Sequence, residues 1–233
     1  MNLPYFYEEN VQQPIHTLSE ETSKHCVQVL RMKEGEQLQI TDGKGNLFTA
    51  TINNANKKHC EVRIDSTQTL KLLTINISIA ISLLKNPSRF EWFLEKATEI
   101  GVKEIIPLIC DHTEKENFRF DRMNNILISA MLQSKQTVLP QLHQLKKFEN
   151  FINEDFDGLK LIAHCVEEEK RSIADLITSH QNKLILIGPE GDFSNEEINT
   201  ALNKNFIAVT LGNTRLRTET AGIVAAVQLQ HFL

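Results

Sequence analysis

From Thr74 onward the chain switches repeatedly between two hydrophobic periods, and this switching limits its possible folds more than any other feature. Ile75, Ile77, Ile79, Ile81 and Leu83 alternate with Asn76, Ser78, Ala80 and Ser82, the period of two that belongs to a strand. Phe90, Phe93, Leu94, Ala97 and Ile100 then follow helical spacing, and Gly101 stands where a left-handed residue would close that helix. A short strand is predicted at 105–109; its Pro107 cannot donate to a ladder, which predicts an edge or strand-end position. Met123, Ile126, Leu127, Ala130 and Met131 mark a second helix, with Asp121 as its cap. Strand 159–165, helix 172–178, strand 184–187, helix 195–203, strand 206–211 and a final helix 220–232 complete the series. Such alternation predicts an α/β domain whose mostly parallel sheet is covered on both faces.

The first 72 residues read differently. Gln37-Leu38-Gln39-Ile40 alternates, Asp42-Gly43-Lys44-Gly45-Asn46 carries turn chemistry, 47–52 reads as the return strand, and 60–64 alternates again. One helical turn is expected at 23–30. Short strands at such close spacing predict a small β-barrel. The boundary near residue 72 is a change of period without a flexible linker, so the expected domains are 1–72 and 73–233.

Composition narrows the function. With 233 residues, 41% hydrophobic and 24% charged, the chain can bury a core. Its net charge of −5 excludes a protein that coats nucleic acid by bulk electrostatics; any such contact has to be a local basic patch. No apolar run is long enough for a membrane-spanning helix. The start, Met1-Asn2-Leu3-Pro4-Tyr5-Phe6, has neither a basic nor an apolar signal segment, so a cytoplasmic location is expected. Cys26, Cys60, Cys110 and Cys165 are far apart, and the eight histidines form no H-E-x-x-H. Reduced, buried thiols and no metal are therefore predicted.

Two segments can carry chemistry. Ile187-Gly188-Pro189-Glu190-Gly191-Asp192-Phe193-Ser194 leaves a strand and enters a helix. Ser194 with Glu197 three residues on is a capping-box pattern, and the carboxyl end of a sheet strand is where α/β proteins bind ligands. Neither G-x-x-x-x-G-K-[ST] nor G-x-G-x-x-G is present, which argues against a phosphate loop. The second segment, Leu211-Gly212-Asn213-Thr214-Arg215-Leu216-Arg217-Thr218-Glu219-Thr220-Ala221, sets two arginines and a glutamate between a strand and an apolar helix. Charged groups at the mouth of a buried element are costly unless paired or used.

G-P-E-G, followed some twenty residues later by L-G-x-x-x-L-R-T-E-T-A, resembles the SPOUT class of S-adenosylmethionine-dependent RNA methyltransferases. More narrowly it resembles the bacterial RsmE family, which methylates N3 of a uridine in 16S ribosomal RNA. The R-F-E-W-F-L-E-K-A-T-E-I-G-V-K-E-I-I-P run from Arg89 resembles the family's first helix and following strand. Gln133-Ser134 resembles its Q-S motif, and 25–31 with the following D-G-x-G resembles its PUA-like barrel. Three positions depart from the pattern: Asp192 for a second glycine, Gln136 for an arginine, and Asp111-His112-Thr113 for an E-R-S triplet.

The resemblance implies a C-terminal SPOUT trefoil-knot domain, a small N-terminal PUA-like β-barrel that helps to hold RNA, and a homodimer acting on 16S rRNA or the small ribosomal subunit. It implies S-adenosyl-L-methionine as cofactor, bent against the loops after Cys165, Ile187 and Leu211. The residues expected around it are Ile187-Gly188-Pro189-Glu190-Gly191, Leu211-Gly212, Leu216-Arg217-Thr218, Thr220 and Ala221. Uracil N3 becomes nucleophilic only after losing its proton. Arg215 or Arg217 is expected to stabilise the resulting charge, and Glu219 to act as base, cap the last helix or pair with Arg217. Glu190 is a second base candidate. Arg31, Arg89, Arg215 and Gln133 are expected at the RNA. Two other readings share these motifs: a non-catalytic ribosome-assembly protein, and a ribose 2′-O methyltransferase.

Overall fold

The computed structural model describes residues 3–70, 76–176 and 182–230. The expected strand positions at Thr74 and Ile75, the end of the expected helix 172–178 and the last residues of the expected helix 220–232 lie outside them. The chain divides into two compact units, Met1–Leu72 with Met131–Leu139, and Leu73–Ala130 with Pro140–Leu233.

In the first unit β1 (Tyr5–Tyr7), β2 (Ile15–Thr17), β3 (Gln37–Thr41), β4 (Asn46–Asn54) and β5 (Glu61–Thr69) form one curled sheet in the order β1-β3-β4-β5-β2. The β1–β3 pair is parallel; the others are antiparallel. The turn between β3 and β4 forms as its sequence predicts. The Asp42 carboxylate accepts from the backbone of Lys44 (2.8 Å) and Asn46 (3.2 Å), while Gly43 and Gly45 take φ of 71° and 97°. The expected helical turn is longer than its pattern. α1 (Glu20–Lys24), capped by Ser19, runs on as a π-helical turn over His25–Val29. Leu38, Ile40, Ala50, Ile52, Val62, Cys26 and Cys60 fill the core. Residues 131–139 complete this unit: the Tyr5 hydroxyl donates to the Gln136 carbonyl (2.8 Å), Gly45 N–H to the Thr137 carbonyl (2.9 Å) and Leu139 N–H to the Gly43 carbonyl (2.8 Å).

Glu8, beside this turn-and-helix edge, gives the unit a pH dependence. Burial pushes its carboxyl up, but His16, Thr22 and Ser19 outweigh that and hold it below the ordinary 4.5. Ser19 donates from both its N–H and its hydroxyl (3.0 and 2.8 Å), and His16 Nε2 stands 3.8 Å away. A lowered carboxylate stabilises the fold fully above pH 4.5, and the contribution is lost as pH falls through its folded value. Glu8→Gln is therefore expected to lower the melting temperature at pH 7 and to match the parent in strong acid; an equal deficit at both pH values would refute the linkage.

The second unit is built on β6 (Ile77–Ser82), β7 (Glu104–Ile109), β8 (Gln141–Leu142), β9 (Lys146–Lys147), β10 (Leu159–Ala163), β11 (Arg171–Ser172), β12 (Lys183–Ile187) and β13 (Ile207–Thr210). Their order is β11-β13-β10-β12-β6-β7-β8, with β9 also on β7, and every pairing among the described residues is parallel. Pro107 corrects one expectation. It lies inside β7, flanked by β6 on one side, rather than at an edge. On the other side β8 pairs only Glu104 and Ile105, and β9 only Leu108 and Ile109, so the missing donor falls where the ladder is already broken.

The helices are α2 (Pro87–Ile100), α3 (Phe120–Gln133), α4 (Phe148–Phe151), α5 (Asn195–Asn203) and α6 (Thr218–Gln230). Asn86 caps α2 through Ser88 N–H (3.0 Å), Pro87 opens its first turn, and Gly101 closes it at φ 91°. Asp121 falls inside the first turn of α3 rather than at its cap. Within the described residues, the expected helix from residue 172 is a 3-10 turn, Ile173–Asp175, capped by Ser172. Both sheet faces are covered, so β6 is buried at every position. Ala80, Leu184 and Leu186 pack with Phe148, Phe151, Ile198 and Ala201, whereas Ile81 faces Phe93 and α6.

Candidate active site

Parallel strands bring their carboxyl ends to one edge, and the loops leaving β10, β12 and β13 meet there. Between them and the start of α6 lies a cleft with two adjoining lobes. One, of about 310 Å3, is lined by Ile187, Gly188, Pro189, Glu190, Asp192, Leu216, Arg217 and Thr218. The other, of about 450 Å3, is lined by His164, Glu167, Lys170, Thr210, Leu211, Gly212, Asn213 and Thr214. Ala163, Cys165, Arg215, Leu216 and Ala221 border both. The size suits a small-molecule site.

Local sequence explains each wall. Ser194 caps α5 in a reciprocal box with Glu197: its hydroxyl accepts from Glu197 N–H, and its own N–H donates to the Glu197 carboxylate (2.9 Å). Asp192 stands at φ 67°, a conformation that aspartate tolerates because its side chain bonds locally. One carboxylate oxygen accepts from Phe193 N–H (2.9 Å) and the other from Cys165 N–H (2.7 Å). Asp192 thus ties the β12 loop to the β10 loop, which explains a residue that departs from the family's glycine. The Asp111-His112-Thr113 departure is also structural. Asp111 N–H donates to Glu197 (3.0 Å), His112 Nδ1 lies 2.9 Å from the Asp192 carbonyl, and Thr113 Oγ1 accepts from Cys110 N–H (2.8 Å).

Of the residues expected at the cofactor, Ile187, Gly188, Pro189, Glu190, Leu211, Gly212, Leu216, Arg217, Thr218 and Ala221 line this cleft. Gly191 and Thr220 do not. A Cβ on Gly191 would stand 3.0 Å from that of His112, so this glycine packs against the 111–113 segment instead. Among the residues expected to be catalytic, Arg215 and Arg217 line the cleft and are exposed, so Arg217 is not confined by the last helix. The Arg217 carbonyl accepts from Ala221 N–H (2.7 Å) and starts α6. Glu219 does not pair with Arg217. It is buried in the first turn of α6, 3.7 Å from Arg89 Nε, with Oε2 lacking a hydrogen-bond partner. Helical geometry carries residue 219 round to the side facing α2. This gives Arg89, expected at the RNA, an intramolecular role. Arg89→Ala and Glu219→Ala are expected to be non-additive in denaturant stability, while Arg217→Ala and Glu219→Ala add; the opposite pattern would restore the Arg217 pair. Glu190 is exposed, and one of its oxygens accepts from Lys85 N–H (3.1 Å). Arg31, exposed at φ 56°, and Gln133, exposed at the end of α3, belong to the other unit.

Cys165 corrects the expectation of buried thiols: it is exposed in the cleft, unlike the other three cysteines, because it follows the end of β10. His164, which carried no sequence signal, lines the larger lobe at 7% exposure. Burial holds its imidazole below its ordinary value, helped by Lys170 and opposed by Asp192 and Glu168. Among the described residues no cluster of histidine, cysteine and carboxylates could hold a metal ion, and no helix is long and apolar enough to cross a membrane.

The family model for an RNA methyltransferase domain matches residues 71–230. The chain belongs to this RNA methyltransferase family. A second model, the RNA methyltransferase PUA domain, matches residues 18–65. The chain is 29% identical over 205 residues to the ribosomal RNA small subunit methyltransferase E of Rickettsia conorii, covering 87% of this chain and 83% of that one. A "probable rRNA-methyltransferase" from Porphyromonas gingivalis is 37% identical, with a TM-score of 0.91 over 98% of this chain and 99% of the other. The ribosomal RNA small subunit methyltransferase E of Neisseria gonorrhoeae, solved bound to S-adenosyl methionine, is 27% identical, with a TM-score of 0.89 over 99% and 98% of the two chains. The fold is the SPOUT-type α/β domain with a PUA-like unit that the resemblance implies, in an S-adenosylmethionine-dependent RNA methyltransferase family.

Proposed function

We propose that this methyltransferase family member modifies N3 of a uridine in 16S ribosomal RNA, with S-adenosylmethionine seated in the cleft at the ends of β10, β12 and β13. The cleft carries the reading: its glycine- and proline-bearing loops expose backbone groups and apolar surface, and its arginines stand at the rim. The residues present fit such a cofactor. Gly212, with no neighbour where a Cβ would stand, leaves backbone open to a ligand; Gly188, Leu216 and Ala221 line the walls, and the His164 ring nitrogens are buried without a partner.

The cofactor supplies an electrophilic methyl on its sulfonium. The chain must favour the uracil anion and keep water away. Arg215 and Arg217 supply positive charge at the rim, where the uracil oxygens gather negative charge. Glu190, exposed with one oxygen held by Lys85 N–H, is the proton acceptor this geometry favours over Glu219, which is buried against Arg89. Arg31 and Gln133 serve the RNA from the PUA-like unit and Arg215 from the methyltransferase unit. With a net charge of −5, phosphate contact through these few groups makes binding weaken as salt rises. The unit of 1–72 with 131–139 and the unit of 73–130 with 140–233 divide those tasks. The uncovered apolar side chains Val227 on α6 and Trp92 on α2 support a homodimer, and the proposed ribosomal substrate is the reason for a cytoplasmic setting.

The test is to incubate the protein with S-adenosylmethionine and small subunits, then digest the RNA and analyse its nucleosides by mass spectrometry. N3-methyluridine is expected. A ribose-methylated nucleoside, or cofactor binding without any methylated product, would overturn the assignment.

A further inference from the structure

His164 stands outside every motif that marks the cleft, yet both polar atoms of its buried side chain lack a partner. It follows directly on β10, is 7% exposed, and lines the larger lobe. Neither Nδ1 nor Nε2 has a hydrogen-bond partner. Buried polar groups in native proteins are almost always bonded, and an orphaned one needs an explanation. Its placement is not loose: the next residue, Cys165, donates its N–H to the Asp192 carboxylate at 2.7 Å, which clamps the chain beside the imidazole.

We propose that His164 hydrogen-bonds the nucleoside half of S-adenosylmethionine, through the ribose hydroxyls, and so sets how the cofactor lies in the cleft. The proposal rests on reading the cleft as the cofactor site. A neutral imidazole presents one donor and one acceptor on nitrogens that point apart, and a hydroxyl can answer either. The amino-acid end of the cofactor carries two charges and needs charged partners or water. In this lobe the charged side chains Glu167 and Arg215 are exposed and Lys170 is half-buried, so the ionic end belongs towards solvent and the neutral end beside His164. The lowered basicity of the imidazole agrees with a neutral ring.

The test compares two probes by calorimetry on the full chain: S-adenosylmethionine, and 5′-methylthioadenosine, which keeps the nucleoside and lacks the amino-acid end. His164→Phe, which keeps a buried aromatic ring without nitrogens, is expected to weaken both by about tenfold. His164→Asn, which keeps a donor and an acceptor, is expected to recover part of that loss. Weakening of S-adenosylmethionine alone would move His164 to the amino-acid end and overturn the proposal. Unchanged affinity for both probes would remove the contact altogether. The wild-type protein gives an answer independent of variant folding: the ring 15N shifts of His164 should move when 5′-methylthioadenosine is added, and unmoved shifts at saturation would refute it. Wild-type protein that binds neither probe would instead sink the cofactor reading beneath it, with the inference falling too.

Discussion

Arg217→Ala is expected to lower the single-turnover methylation rate by about 10²–10³-fold, the loss typical of removing one donor aimed at developing charge, while the melting temperature hardly moves. The geometry separates the two effects. Arg217 is exposed, borders the cleft and has no ion pair or side-chain hydrogen bond among the described residues. Truncating such a group costs little stability, within about 0.5 kcal/mol. Its backbone starts α6 through the Ala221 N–H, and alanine keeps that bond. Affinity for S-adenosylmethionine should change far less than the rate. Arg217→Lys should restore only part of the activity, since an ammonium lacks the planar fork of a guanidinium. The competing account makes Arg217 structural. Single-turnover rate, calorimetric affinity and thermal unfolding on the same variants decide between them: a large stability loss with a near-normal rate per folded molecule would sink the role in charge stabilisation.

Substitution at Gly222 should have the largest effect on the fold. This glycine lies in α6 where the helix crosses α2 and β6. A Cβ there would stand 2.6 Å from Cε2 and 2.9 Å from Cδ2 of Phe93, and 3.1 Å from Cδ1 of Ile81. Both neighbours are completely buried, so neither can swing into solvent. In an open helix Gly→Ala would stabilise by up to about 1 kcal/mol. Here overpacking, which costs about 1–3 kcal/mol in a filled core, should reverse the sign for Gly222→Ala. Gly222→Val adds two more carbons and a β-branched side chain, and should leave little folded protein at 37 °C. Denaturant midpoints measure both. A stabilised Gly222→Ala would mean that Phe93 yields, and that the close approach of α6 is not essential to the fold.

How much of this was legible beforehand varies from element to element. The period of two from Ile77 to Ser82 and the helical spacing from Phe90 to Ile100 became β6 and α2 because burial on each face leaves its own periodicity in the chain. Gly101 and the Ser194–Glu197 box were readable because caps depend on neighbours a few residues apart. The edge or strand-end position that Pro107 predicts does not hold, since the break between β8 and β9 that accommodates it involves strands of two residues each, too short to carry a pattern. The same limit hid the contribution of residues 131–139 to the first unit: it is made largely through backbone carbonyls and N–H groups, which every residue possesses.

The site divides along the same line. The sequence by itself determined the class of fold and the loops that form the cleft, because glycines, prolines and arginines between a strand and a helix are local facts. It also marked the arginines at the rim. Only the tertiary structure decided the partners. Glu219 meets Arg89, about 130 positions away, rather than Arg217, because Arg217 precedes α6 on the cleft side while Glu219 lies in the first turn of α6 beside Arg89 of α2. Asp192 meets Cys165 and Gly191 faces His112 because parallel strands distant in sequence end at one edge. Burial of His164 depends on that same convergence. No local pattern encodes it, since a histidine after a strand reads alike whether its ring nitrogens face water or an enclosed lobe.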